Sequence, residues 1–300
     1  MTTSAADLLS PATLARIDNY SLLAKTAVEG YLSGIHRSLS HGTGGEFFQY
    51  RNYTPGDDLK YVDWKVFSRQ NKFHTKVFRE ETNMNVSLVL DASGSLDYNG
   101  SRAPWGKWRY AAMIAASLAY LANRQGDNVG LYIYNDQIVE AIEPSRTQGQ
   151  LQRIFAALAR QKPSGSADHR RAWNYLTNHF RRRGLIIFLS DFLDAEKTLP
   201  PLLKRLRFAH HDCLAFQVLD PDELDLPFDR STEFIDRETG RRIDSFPAAV
   251  RDDYQREMND FLERLSQAMS EAQVDFLRLI SSESLADALA NYLHKRESLR

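Results

Sequence analysis

The chain has 300 residues, of which 43% are hydrophobic and 26% charged, with 38 Lys and Arg against 39 Asp and Glu. These are the proportions of a soluble globular protein long enough for one large domain or two modest ones, and they exclude a disordered chain, a fibre and a coiled coil. The net charge of -1 implies no polyelectrolyte partner for the chain as a whole, and the one cysteine, Cys213, excludes an internal disulfide and a cysteine-cage zinc site.

Asp7, Arg16 and Asp18 interrupt any signal-peptide apolar core. The most apolar helical stretch, 111–122, is well short of the roughly 18 apolar residues that span a bilayer. A soluble, cytoplasmic protein with no membrane partner is expected. Ser10-Pro11 opens a first helix, with Ser as N-cap and Pro in the first turn. Leu14, Ile17, Leu22, Val28, Tyr31, Leu32 and Ile35 give it an apolar stripe that packs on its own domain. A glycine-rich loop follows at 42–45. In Tyr53-Thr54-Pro55-Gly56-Asp57-Asp58, Pro-Gly predicts a type II turn, and Asp57 or Asp58 can cap a short helix through Asp63, Trp64 and Phe67.

From residue 86 strands alternate with helices. Residues 86–90, 185–189 and 214–219 are near-continuous apolar runs, the signature of strands buried on both faces. Strands at 129–134 and 138–142 form a hairpin around Asn135-Asp136-Gln137. A last strand is expected at 274–280. Helices are expected at 108–121, 151–159, 171–180, 199–208, a long one through Val250 to Met269, and 285–293. The repeated β–α–β order predicts a doubly wound, mostly parallel sheet with right-handed crossovers. Residues 221–247 are an irregular insert holding a small hairpin around Glu238-Thr239-Gly240. The division expected is an N-terminal helical and loop extension, 1–83, and an α/β domain, 84–300.

Ligands in open α/β sheets gather at the carboxyl ends of the strands. Two buried strands here end in acids. One runs into Asp91-Ala92-Ser93-Gly94-Ser95, the other into Ser190-Asp191. Asp-x-Ser-x-Ser puts a carboxylate and two hydroxyls on one tight loop, and Gly94 is expected to let that loop curl. Oxygen-only ligands suit a hard cation such as Mg²⁺. Asp191 would ligate it directly or hold one of its waters, and the ion's open position would favour a partner's carboxylate. The bland alternative is that Asp91 and the serines only cap the following loop and helix.

These residues resemble a known site. Asp91-Ala92-Ser93-Gly94-Ser95 is similar to the first loop of the metal-ion-dependent adhesion site of von Willebrand factor A domains. A second resemblance covers nearly the whole chain. Glu46-Phe47, Tyr50-Arg51, Tyr53, Pro55-Gly56-Asp57-Asp58, Asp63-Trp64 and Arg69 resemble the signature of the bacterial "domain of unknown function 58" family. The match continues through Val77, Glu80-Glu81, Lys107, Gly126-Asp127-Asn128-Val129-Gly130, Ser190-Asp191 and Glu238-Thr239-Gly240-Arg241. The resemblance implies a von Willebrand factor A-like fold and a MoxR-type AAA+ ATPase as protein partner. One position departs. The threonine such sites take from a second loop corresponds to Ala167 in Gly165-Ser166-Ala167-Asp168, so Ser166 or Asp168 would have to serve, and binding of Mg²⁺ or Mn²⁺ is expected to be weak or absent. Thr147 is a further polar candidate.

Residues 36–79 hold eight Lys and Arg against four acids, with aromatics interleaved. That composition can bind single-stranded nucleic acid. A domain surface over an aromatic core is the expectation instead. Glu46, Arg51, Asp57, Asp58, Asp63 and Arg69 are too many charges for a short segment unless they pair, so a hydrogen-bonded cluster is expected there. Asp220, Asp222, Glu223, Asp225 and Asp229 read as a solvated acidic loop or a complement to a basic partner. Neither Gly-x-x-x-x-Gly-Lys-Ser/Thr nor Gly-x-Ser-x-Gly is present. The reading is therefore a non-enzymatic protein-interaction module with a degenerate metal site. The alternative is a Mg²⁺-dependent hydrolase using Asp91 and Asp191.

Overall fold

The computed structural model describes residues 84–285 apart from 168, 181, 194, 196 and 197, together with 19–20, 24–25, 28, 46–52, 62–70, 73–79 and 288. The expected Pro55-Gly56-Asp57-Asp58 turn, Asp168, most of the first helix and most of the last helix lie outside these residues. So do the side chains of Glu46, Arg51 and Arg69, and with them the expected charge cluster.

Contacts divide the chain into Ile35–Asn83 and a larger unit, Met1–Gly34 with Met84–Arg300. In the smaller unit, β1 (Glu46–Asn52) pairs antiparallel with β2 (His74–Arg79), setting Glu46 opposite Arg79 and Arg51 opposite Thr75. Between them lies α1 (Trp64–Gln70). Asp63 caps it, its carboxylate accepting from the Val66 N–H at 3.1 Å. Asp63 stands directly before the first turn, where an acceptor reaches its free N–H groups; Asp57 and Asp58, the caps expected from the sequence, lie outside the described residues. Phe67 and Phe73 stack at 4.2 Å, and Trp64 meets both edge-on.

The larger unit is built on a six-stranded sheet. Its elements are β3 (Asn85–Asp91), α2 (Lys107–Arg124), β4 (Asn128–Tyr134), β5 (Ile138–Ser145), α3 (Gln150–Arg160), α4 (His169–His179), β6 (Gly184–Ser190), α5 (Leu199–Phe208), β7 (Asp212–Leu219), α6 (Pro221–Asp225), β8 (Thr232–Ile235), β9 (Arg242–Ser245), α7 (Pro247–Glu271) and β10 (Asp275–Ile280). The strand order is β10-β7-β6-β3-β4-β5, parallel throughout except for β5. β8 and β9 form the separate hairpin expected in the insert.

Alternation along the strands splits the interior into two layers. Val86, Leu88 and Leu90 of β3 and Leu185, Ile187 and Leu189 of β6 pack under α2 and α3. Val89, Ile186 and Phe188 face the opposite way, toward α4, α5 and α7. Each such fully buried side chain contributes about 1.5–3 kcal/mol. This is why these runs lack polar alternation: both faces are covered. α2 is buried nearly all round, and its alanines let it lie close to the sheet. Ala24 and Val28 are buried in the layer under α2, so this part of the expected extension belongs to the core of the larger unit.

β5 closes one edge. Its pairing with β4 shifts register twice, and the Gln150 side chain donates to the carbonyls of Val129 and Glu143 at 2.7 and 2.8 Å beside one of the irregularities. No helix among the described residues is long and apolar enough to cross a membrane.

Candidate functional site at the ends of β3 and β6

The chain leaves β3 toward β4 on one side and later returns to β6 on the other. The sheet order therefore reverses between β3 and β6, and the space beyond their carboxyl ends is where open α/β sheets hold ligands. Asp91 ends β3, and Asp191 directly follows Ser190, the last residue of β6. Both are 1% exposed, so neither is a solvated surface acid.

The loop after β3 is anchored by its backbone. Ala92 donates to Tyr134 O at 2.7 Å, Ser164 donates to Ala92 O at 2.9 Å, and Gly94 donates to Gly165 O at 2.8 Å. Asp91 accepts from the Ser93 N–H at 2.9 Å through Oδ1 and from the Ser190 hydroxyl at 2.7 Å through Oδ2. Ser93 and Ser95 turn their hydroxyls toward each other at 3.0 Å. Two neighbouring corners of a Mg²⁺ octahedron lie about 3 Å apart, so this pair fits a hard cation. Gly94 is needed here for a reason other than curl. Its φ lies outside the left-handed region, but a Cβ on it would meet the Arg237 carbonyl oxygen at 2.4 Å.

The loop after β6 turns sharply. Ser190 Oγ accepts from the Phe192 N–H at 2.9 Å, and Phe192 is held at φ 58°, a left-handed conformation that costs an aromatic residue about 1–2 kcal/mol. Its complete burial holds it there. Asp191 accepts from the Leu193 N–H through Oδ1 at 3.2 Å and from Lys107 Nζ through Oδ2 at 2.7 Å. Lys107, at the start of α2, is fully buried and also donates to Glu223 at 2.7 Å.

Glu223 belongs to the acidic run that reads, in sequence, as solvated or free for a basic partner. The structure corrects this for Asp220, Asp222 and Glu223, while Asp225 and Asp229 are exposed, as in a solvated loop. Asp220 and Asp222 are buried, and Asp220 and Glu223 form a capping box at the start of α6. Asp222 and Asp225 are taken by Arg102 at 2.6 and 2.7 Å. The free N–H groups of a short helix, with Arg102 and Lys107, take up the first four acids, and Arg251 pairs with Asp229 at 2.8 Å.

Electrostatically the two strand-end acids diverge. Burial first, and then the Asp191 charge, pushes the Asp91 carboxyl above its usual range, against His169 and the hydrogen bonds from Ser190 and Ser93. Burial would raise Asp191 too, but the Lys107 ammonium, with help from Ser95 and the Leu193 N–H, outweighs it and holds Asp191 below its usual range. Lys107 is raised because Asp191 and Glu223 together outweigh its burial.

The third side of this space is the loop before α4. Ser166 is exposed and Ala167 is half-buried. The Ala167 N–H donates to Glu238 Oε2 at 3.2 Å, from the turn between β8 and β9. Burial, with the Asp91 and Asp191 charges, pushes Glu238 up. Thr147 follows β5, whose Ser145 lies opposite Val129 at the start of β4, so it is at the far end of the sheet. Of the residues the sequence singles out, Asp91, Ser93, Ser95 and Asp191 lie together. Lys107, Glu223 and Glu238 join them, although the sequence assigns them no role in the site. Lys107 offers one signal, a cation at the first position of an alanine-rich buried helix. Among the described residues no three His, Cys, Asp or Glu side chains form a metal cage, so any cation here would rest on hydroxyls and waters as well as carboxylates.

The chain is similar to several known proteins. The uncharacterized protein Rv1480 of Mycobacterium tuberculosis is 33% identical over 255 residues, covering 83% of this chain and 79% of that protein. The uncharacterized protein Mb1516 of Mycobacterium bovis matches to the same extent, 33% over 255 residues. Among solved structures, BatB from Bacteroides thetaiotaomicron superposes with a TM-score of 0.48 at 14% identity, over 72% of this chain and 99% of that one. The SpRpn10 VWA domain superposes with a TM-score of 0.40 at 12% identity, over 70% and 95%. Residues 49–263 match the family described as "Protein of unknown function DUF58". On that match, which spans most of the sequence, the chain belongs to the DUF58 family.

Proposed function

We propose that this chain is a cytoplasmic, non-enzymatic protein-interaction module of the von Willebrand factor A-like kind. Its Asp91-x-Ser93-x-Ser95 loop and Asp191 would hold Mg²⁺ or Mn²⁺ weakly, and its partner would be a MoxR-type AAA+ ATPase acting in protein assembly or maturation. The observation that carries this reading is the convergence of Asp91, Ser93, Ser95 and Asp191 at the reversal point of the sheet, with Asp91 buried and lacking a salt bridge among the described residues. A bound divalent ion would supply the missing positive charge and a Lewis-acidic contact point. Lys107 holds Asp191, Ser190 orients Asp91, and the Ser93 N–H keeps the loop closed.

Calorimetric titration with Mn²⁺ tests the ion. Saturable binding at millimolar ion, lost in Asp91→Ala and tightened in Ala167→Thr, is the expected result. Co-purification with the MoxR-type ATPase of the same genome, abolished by Asp91→Ala, tests the partner. Turnover of phosphate or carboxylic esters with Mg²⁺, abolished by Asp91→Ala, would instead favour a hydrolase and overturn the binding reading.

A further inference from the structure

The turn 236–240 between β8 and β9 is a preformed device. Asp236 accepts from the N–H groups of Glu238 and Thr239 at 2.8 and 3.2 Å and from the Thr239 hydroxyl at 2.5 Å. Gly240, at φ 71°, donates back to Asp236 O at 2.8 Å. Asp236, Arg237, Thr239 and Gly240 are exposed or nearly so, whereas Glu238 is turned inward. The turn is seated on the loop after β3. The Arg237 carbonyl occupies the space a Cβ of residue 94 would need, and Arg237 reaches Asp97 at 3.5 Å. Glu238 then meets the backbone N–H of Ala167, the position at which the hydroxyl expected from a second loop is absent.

From this placement we infer that Glu238 takes over the part of that missing hydroxyl: it closes the third side of the ion site, through a water held by the ion, and couples the β8–β9 hairpin to ion occupancy. The inference rests on the proposed ion site. Hydroxyl and carboxylate are both hard oxygen acceptors, and Mg²⁺ and Mn²⁺ retain waters that a carboxylate can accept from. A carboxylate acting through water does not need to join Asp91 and Asp191 in one cage, consistent with the absence of such a cage among the described residues. The side of the site expected to be open for a partner's carboxylate is met by the chain's own. A partner carboxylate entering there would have to lift the hairpin.

Mn²⁺ titration of the intact chain, Asp91→Ala, Glu238→Gln, and Glu238→Gln combined with Ala167→Thr tests this. Removing a carboxylate that orients a metal's surroundings weakens binding roughly 10-fold or more. Glu238→Gln should therefore bind about tenfold more weakly. The hydroxyl introduced by Ala167→Thr should restore most of the loss and should gain more in Glu238→Gln than in the wild type, a non-additivity that a merely structural role would not produce. Trypsin cleavage after Arg237 should slow on Mn²⁺ addition in the wild type but not in Glu238→Gln. A wild type that binds Mn²⁺, loses it in Asp91→Ala and is unaffected by Glu238→Gln overturns this inference while leaving the ion site standing. A flat wild-type titration overturns the ion site itself. Cleavage that is indifferent to Mn²⁺ in the wild type overturns the coupling to the hairpin.

Discussion

The loops after β3 and β6 present the same side chain at neighbouring strand ends, equally buried, and treat it in opposite ways. Asp191 meets an ammonium at 2.7 Å, and the same ammonium is shared with Glu223. Asp91 meets only a hydroxyl and an N–H at 2.7 and 2.9 Å. Burial pushes both upward; for Asp191 the Lys107 ammonium outweighs it, whereas for Asp91 the His169 charge offsets it only in part. One strand end is a finished structural ion pair. The other is a carboxylate held by neutral hydrogen-bond donors, with the His169 charge only partly offsetting its burial.

The largest effect should come from removing the cation that separates the two. Lys107→Met leaves Asp191 and Glu223 buried without it, and breaking a buried pair in this way costs about 3–5 kcal/mol. Urea denaturation measures it. A loss below about 1 kcal/mol would mean that the ammonium does not set the two acids apart.

A smaller effect separates the acids themselves, measured in the presence of chelator. Asp191→Asn gives up a charged hydrogen bond to Lys107 and should cost about 1.5–3 kcal/mol. Asp91→Asn keeps an acceptor for Ser190 and removes a buried charge that His169 offsets only in part, so its cost should stay below about 1 kcal/mol. Equal losses would mean that the two strand ends are electrostatically alike.

The smallest effect is in the pH dependence, and the two acids have opposite signs. Asp191, depressed in the fold, contributes stability that is present above its unfolded value of about 3.9 and is lost as pH falls through the folded pKa. Asp91, raised in the fold, contributes stability that is present below about 3.9 and is lost as pH rises through its folded value. Asp191→Asn should flatten the acid side of the stability profile, and Asp91→Asn should flatten the decline above it. Thermal melts without divalent ion, from acid to neutral pH, are the measurement. Matching changes in both variants would contradict the assignment.

Much of this is legible in the sequence because strand ends are marked by composition. The runs 86–90 and 185–189 are apolar on both parities, which only a doubly covered strand tolerates, and an acid at the end of such a run lies at the carboxyl edge of the sheet. The partners of those acids are not legible. Lys107 appears in the sequence only as part of the family resemblance, and nothing in its neighbours announces that α6 will bring Glu223 over it. Glu223 is hidden in a run of acids whose true occupation is capping. Glu238 reads as part of a hairpin, as it is, but the surface a hairpin docks on is set by tertiary packing. Gly94 reads as a source of flexibility, whereas the close approach of the Arg237 backbone is what requires it.

The antiparallel strand β5 has a consequence beyond closing the sheet. An outermost strand offers a row of backbone donors and acceptors on which a foreign strand can template itself. In β5 the ladder with β4 is broken twice, Pro144 has no N–H to give, and Glu140 and Glu143 interrupt the apolar side chains. On this side the sheet is thereby guarded against zippering onto other copies, and an encounter that extends the sheet would have to use the opposite edge, β10.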